Sequence, residues 1–151
     1  MIGDERGAAY VETLVAFMPT LFFFLAIYQF SEVAAANLIV RRAAQAAVRA
    51  AVVVYPDDAR FYGGAAPSAR APYMEEAARR TLRAAPEIDL AQARVSLSGN
   101  TSGNSEVTVD VRVPYRCSVF WARLVCGLDG VIGLDGRATL PYLGTRPAAG
   151  G

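Results

Sequence analysis

Apolar positions crowd the first third of the chain, and two periodic patterns follow them. Residues 13–31 carry no charge, and Glu12 is the one charged residue between positions 8 and 31. A helix over 8–31 rises about 36 Å at 1.5 Å per residue, enough to cross a hydrocarbon core of about 30 Å. Residues 32–54 contain neither Gly nor Pro and are rich in Ala, the strongest helix former. Val40, Ala44, Ala47 and Ala51 recur on one helical face, with Arg42 and Arg49 on the opposite face. The pattern predicts one rod from about residue 8 to 54, about 70 Å long. Tyr55, Pro56, Asp57 and Asp58 end it.

After the rod, residues 56–72 are rich in Pro, Gly and Ala and read as a linker or surface loop. Pro72 then opens a second helix, with Met74, Ala78, Leu82 and Ala85 as its buried stripe and Pro86 just beyond it. Glu75–Arg79 and Glu76–Arg80 have the spacing of ion pairs one turn apart. Strand patterns come next. Ala93, Val95 and Leu97 alternate with Arg94, Ser96 and Ser98; Val107, Val109, Val111 and Val113 alternate with Glu106, Thr108, Asp110 and Arg112. The polar loop at 99–105 makes these two a hairpin. A third strand is predicted at 137–142, with Ala138, Leu140 and Tyr142 on one face. Between strands two and three the sequence predicts a short helix bracketed by Cys117 and Cys126, followed by Gly-rich turns. The last residues, 144–151, read as a disordered tail. The expected fold is α+β: a transmembrane helix continuing into a head (73–143) with a three-stranded antiparallel sheet and one or two short helices.

Composition narrows the chemistry. The chain has 151 residues, 54% hydrophobic, with a net charge of +1. No basic stripe interleaved with aromatics supports nucleic-acid binding. Histidine is absent, which removes the commonest general base and zinc ligand together. There is no P-loop, no dinucleotide-binding glycine pattern and no nucleophile elbow, so neither an enzyme nor a small-molecule substrate is expected, and no cofactor or metal. Asp129-Gly130 and Asp135-Gly136 read as turns, because the spaced ligands of a calcium loop are missing. Asn100-Thr101-Ser102 fits a glycosylation triplet of a kind common in polar loops. Cys117 and Cys126 suit a disulfide formed in an oxidising compartment; two buried free thiols are the alternative. Phe120, Trp121, Leu124 and Val125 form an apolar cluster beside them, read as core or, if exposed, as a subunit contact.

Glu12 is the anomaly in the apolar run. A carboxylate at the edge of a membrane segment costs about 2.5–3.5 kcal/mol on insertion scales, so such residues usually have a partner or reach headgroup water. Gly7 is followed by Ala8, and Glu12 is the fifth residue counted from Ala8. A short polar leader ending in Gly, then an apolar helix with Glu at its fifth position, resembles the processing site of type IV prepilins. Arg6-Gly7-Ala8, Val11-Glu12, Pro19 and the run Ala46-Ala47-Val48-Arg49-Ala50-Ala51 are similar, more narrowly, to the TadE/TadG-like minor pseudopilins of tight-adherence pili. Phe or Tyr often follows the Glu in that family; here Thr13 does, with Tyr10 two residues before it.

That resemblance covers about the first third of the chain and implies a set of expectations. Residues 1–7 would be a leader, cut by a prepilin peptidase between Gly7 and Ala8. Glu12 would face the freed amine of Ala8 or that of a neighbouring subunit, and so register one subunit against the next. Pro19 would kink or loosen the helix. The partners would be the membrane, the prepilin peptidase, other pilin subunits and the assembly machinery. The location would be a bacterial inner membrane, with the N-terminus cytoplasmic and the head periplasmic, or outside the cell in an assembled pilus. A type II secretion pseudopilin uses the same leader logic, although Pro19 and the Ala/Arg-rich run speak against it. An uncleaved single-span anchor presenting a binding or assembly domain is the reading from a different class.

Overall fold

In the computed structural model, α1 (Glu5–Val54) is an unbroken helix of 50 residues, about 75 Å long. It begins inside the expected leader, and Pro19 lies within it without ending it. The structure describes residues 5–55, 59–98, 106–118, 126–127 and 129–141. The predicted hairpin loop with its Asn100 triplet, the short helix with Phe120, Trp121, Leu124 and Val125, and Tyr142 with the tail lie outside these residues.

Three strands follow the helices: β1 (Arg94–Ser98), β2 (Glu106–Arg116) and β3 (Val131–Pro141). They form one antiparallel sheet in the order β1-β2-β3. With α2 (Ala71–Leu82) this is the expected α+β layout. Val107, Val109, Val111 and Val113 are all buried, as the alternation in β2 requires. The register places Val95 and Leu97 of β1 beside Val111 and Val109 on the same face. The other face is polar. Thr108 and Thr139 share a hydrogen bond of 2.8 Å, and Arg112 pairs with Asp135 at 3.2 Å.

Pro114 sits in the central strand, where a missing N–H would normally break a ladder. β1 pairs with β2 only as far as Arg112, so Pro114 lies beyond its cover. The Pro114 carbonyl accepts from the Asp89 N–H on that side, where the absent N–H would also have pointed. Residues 87–89 complete the ladder: the Arg116 N–H donates to the Glu87 carbonyl, and Ile88 bridges Tyr115.

The third strand is longer than its sequence pattern. It starts at Val131, so the later part of the stretch read as Gly-rich turns, residues 131–136, is strand, and Asp135-Gly136 is no turn. Asp129-Gly130 is a turn, with Gly130 at φ 64°. Gly136 has a packing role instead. It pairs with Val111 at the centre of the sheet and faces α1. A Cβ there would stand 2.6 Å from the Val40 carbonyl oxygen and 3.0 Å from the Arg41 nitrogen.

The upper half of α1 is the centre of the core and packs on both the sheet and α2. Val40, Ala44, Ala47 and Ala51 are fully buried, joined by Ala43 and Val48. Met74, Ala78 and Leu82 close the α2 side. Burial of these apolar surfaces contributes roughly 25 cal/mol per Å² removed from water. Glu76 pairs with Arg80 at 2.9 Å. Arg79 does not hold Glu75 as its spacing predicted; it donates to the Leu90 carbonyl at 2.9 Å, tying α2 to the turn before β1.

Residues 59–70 are no loose linker. They form two short 3₁₀ turns, Ala59–Tyr62 and Pro67–Arg70, around Arg70, which is 2% exposed. Its Nη1 donates to the Val54 carbonyl at 2.8 Å, and its Nε and Nη2 donate to the Ala65 carbonyl. The guanidinium lies 4.6 Å from the centre of the Tyr62 ring, which meets Tyr73 edge-on. The last carbonyls of a helix lack partners within it, and a cation at that end is favoured by the helix dipole. Arg70 therefore caps α1 and holds the following chain against it.

A Gly136→Ala substitution tests the close approach of strand and helix. The methyl group would meet backbone, which cannot turn aside as a side chain can. We expect a loss of at least about 2 kcal/mol, read as a lowered melting temperature of the head with the chain in detergent micelles. An unchanged melting temperature would show that the sheet and helix separate without cost.

Candidate functional site

Among the described residues, the lower half of α1 is mostly exposed. Tyr10, Val11, Leu14, Val15, Phe17, Met18, Phe23, Phe24 and Phe30 are all exposed, and none of the most apolar stretch is buried. A helix that is apolar all round is stable in water only if something covers it. This helix is long and apolar enough to span a membrane. Its aliphatic hydroxyls are satisfied within the helix: Thr13, Thr20 and Ser31 each donate to the carbonyl four residues back, at 2.8–2.9 Å.

Gly7, Ala8, Glu12 and Pro19 all lie on this exposed part of α1. Gly7 is exposed, and an added Cβ would meet nothing within 4 Å. No packing demand explains a glycine there, although glycine costs a helix about 1 kcal/mol relative to alanine. Glu12 is exposed on the next turns and borders a shallow groove with Ala9, Thr13, Ala16, Phe17 and Thr20. Among the described residues no side chain pairs with its carboxylate.

The cysteines form the second group. Cys117 and Cys126 are joined as a disulfide, with Cα atoms 6.7 Å apart, and there are no free cysteines among the described residues. The bridge closes the connection between β2 and β3. The Cys117 N–H donates to the Gly130 carbonyl at 3.0 Å. The two groups are not brought together: Gly7 and Gln29, beside the disulfide loop, are separated by about 33 Å of helix, the thickness of a bilayer core.

A polar node that the sequence did not announce sits where the exposed helix meets the head. Gln29 is 3% exposed and is the first buried residue of α1. Ser118, directly after Cys117, places its Oγ 3.2 Å from Gln29 Oε1 and donates to Glu32 Oε2 at 2.5 Å. A hydroxyl carries one proton, and the carboxylate is the stronger acceptor. The Ser118 bond first, and a bond from Tyr28 second, hold the Glu32 carboxyl below its ordinary value. Burial, and then the Glu32 and Glu87 carboxylates, push the Tyr115 phenol up. The hydroxyl of Tyr115 is buried beside Gln29, whose side chain pulls the phenol the other way. Glu32 was legible only as the end of the uncharged run; its partner lies 86 residues away.

Beside this node is a cleft of about 390 Å³ lined by Pro86, Glu87, Ile88, Asp89, Arg116, Cys117 and Ser118. Arg116 spans it toward Asp89 at 3.8 Å. Asp129 and Asp135, weighed as calcium ligands, are not gathered: Asp135 pairs with Arg112 on the outer face of the sheet. Among the described residues no group of three or more metal-binding side chains forms. No protein-family model, no curated protein and no solved structure matches the chain.

The node gives a pH expectation. A carboxyl whose value is depressed by folding adds stability above its unfolded value, near 4.5, and loses that contribution as pH falls through the depressed value. The melting advantage of the native chain over Glu32→Gln is therefore expected above about pH 4.5 and should fade below it. A difference that stays constant from about pH 3 to pH 7 would remove Glu32 ionisation from the contact.

Proposed function

We propose that this chain is a membrane-anchored, pilin-like structural subunit, a minor pilin or pseudopilin of a Tad-like assembly, processed after Gly7. Glu12 carries the reading. It is a carboxylate on an exposed, apolar, span-length helix with no partner among the described residues. A charge in that setting needs a counter-charge. Cleavage between Gly7 and Ala8 creates one, the amine of Ala8, on the same helix or on that of a neighbouring subunit. The amine has an ordinary value near 7.7–8.0 and is largely protonated at neutral pH.

Two further observations support this reading. Gly7 has no packing reason to be glycine. The Gly7–Ala8 bond lies in helical backbone, and a peptidase needs it unwound; glycine lowers the cost of that step. The disulfide in the head suits an oxidising compartment, which supports a head outside the cytoplasm and an N-terminus inside it. The same leader logic would serve a type II secretion pseudopilin, and Pro19 with the Ala/Arg-rich run favours the Tad-like form. The helical start at Glu5 favours the second reading, an uncleaved single-span anchor whose head binds or assembles.

Mass spectrometry of the mature N-terminus, on protein from its native membrane, separates the two. The expected start is Ala8, with residues 1–7 retained in a Gly7→Leu variant, which the open space around Gly7 accommodates. Finding residues 1–7 on the native mature protein would leave the uncleaved anchor.

A further inference from the structure

We infer that the Cys117–Cys126 disulfide is a redox-controlled clasp: it holds the head to the turn of α1 at the exit of the apolar segment, and its reduction frees that turn while the helix-on-sheet core stays folded. The proposal rests on the fold alone and holds whether or not the chain is processed after Gly7.

The bridge lies where β2 ends. Cys117 is the first residue after β2, and the next residue, Ser118, makes the contact to Gln29 and Glu32. The position of Ser118 is therefore fixed from two sides: by β2 through the chain, and by the β3 end of the loop through the disulfide and the Cys117–Gly130 hydrogen bond. Opening the bridge removes the covalent tie on one side. Among the described residues, what remains in its place is the Cys117–Gly130 hydrogen bond of 3.0 Å. The Ser118–Glu32 bond then has to hold a less restricted loop, and it loses the benefit of being positioned in advance.

The core does not share this dependence. Val40, Ala44, Ala47 and Ala51 of α1 meet Val107, Val109, Val111 and Val113 of β2 further along the helix, and α2 covers the other side. Cys126 is buried outside that cluster, and Cys117 only flanks it. Local opening at the clasp can thus occur at lower free energy than global unfolding, as expected for a contact made by a few polar groups rather than by a packed face.

The bond is also reachable. Cys117 lines the open cleft beside Glu87, Asp89 and Arg116. A dithiol entering there attacks Cys117 Sγ as its thiolate, forming a mixed disulfide and expelling Cys126 as a thiolate, which takes up a proton. The second thiol of the reductant, deprotonated, then attacks the mixed disulfide. It leaves Cys117 as a thiolate that is protonated in turn, and the reductant departs as a cyclic disulfide. Two electrons and two protons pass from the dithiol to the cysteine pair, and no other reactant is needed.

The test is hydrogen–deuterium exchange, read by mass spectrometry, on the full chain in detergent micelles before and after dithiothreitol. Exchange over residues 32–35 and 116–118 is expected to rise at least about tenfold on reduction, while residues 40–51 and 107–115 keep their protection. A Cys117→Ser, Cys126→Ser chain should match the reduced protein without added reductant. Ser118→Ala should loosen residues 32–35 with the disulfide intact. Unchanged exchange at residues 32–35 on reduction would overturn the clasp. Loss of protection across 107–115 together with 32–35 would overturn it too, by making the bridge a staple of the whole head. Neither outcome bears on the mature N-terminus, so the processing question is tested apart.

Discussion

At Gly136 the backbone of β3 lies against the backbone of α1, close enough that a methyl group would stand 2.6 Å from a carbonyl oxygen. The helix answers with alanines: Ala43, Ala44, Ala47 and Ala51 are all fully buried on its inner face. Small residues on both sides fix the spacing of helix and sheet, and that spacing lets the valines of β2 reach α1 as well. A helix is the part least able to adjust here, because its own hydrogen bonds hold its shape. The sheet must fit the rod, and α2, β1 and the cap at Arg70 are arranged around that fit.

The same rod presents two different surfaces. Above Gln29 its burial is one-sided and protein supplies the cover; below it, large apolar side chains point outward all round. Within the exposed half the backbone is satisfied by the helix itself except at the Val15 carbonyl, four residues before Pro19, which has no N–H to give. Thr13 and Thr20 in the exposed half bond back to the helix, and Glu12 is left without a partner among the described residues. At the boundary between the two regimes stand the polar contacts that a head next to a membrane needs: Gln29, Glu32 and Ser118, with the disulfide behind them.

A chain built this way can separate its tasks along its length. In the proposed reading the apolar half carries membrane insertion and, through Glu12, registration. The head holds its shape through a core that makes no demand on the lower helix. The junction is polar and held by few bonds, which makes it the natural place for the two halves to be coupled or released. Any partner that packs on the lower helix acts on a surface that the head leaves open.

Periodicity made the main elements readable. Alternating valines specify β2 and its buried face, and a run of alanines without Gly or Pro specifies a helix with a narrow face. The spacing of Met74, Ala78 and Leu82 specifies the covered side of α2; each is a local rule about which way successive side chains point. The apolar stretch and the anomaly of Glu12 within it were equally open to reading, since both depend on adjacent residues. Long-range choices were not legible. Residues 131–136 resemble turns because of Gly133 and Asp135-Gly136; they are strand because β2 continues to Arg116 and offers them a ladder. Nothing local marks Arg70 as buried, because its partners are a helix end sixteen residues back and a ring that the chain must fold over to meet. Ser118 and Glu32 meet across 86 residues. The sequence by itself determined which segments would be helix, strand and membrane-length apolar rod, because those follow from nearest neighbours. Only the tertiary structure decided how closely rod and sheet approach and which polar groups close the junction, because those contacts join residues that the sequence keeps apart.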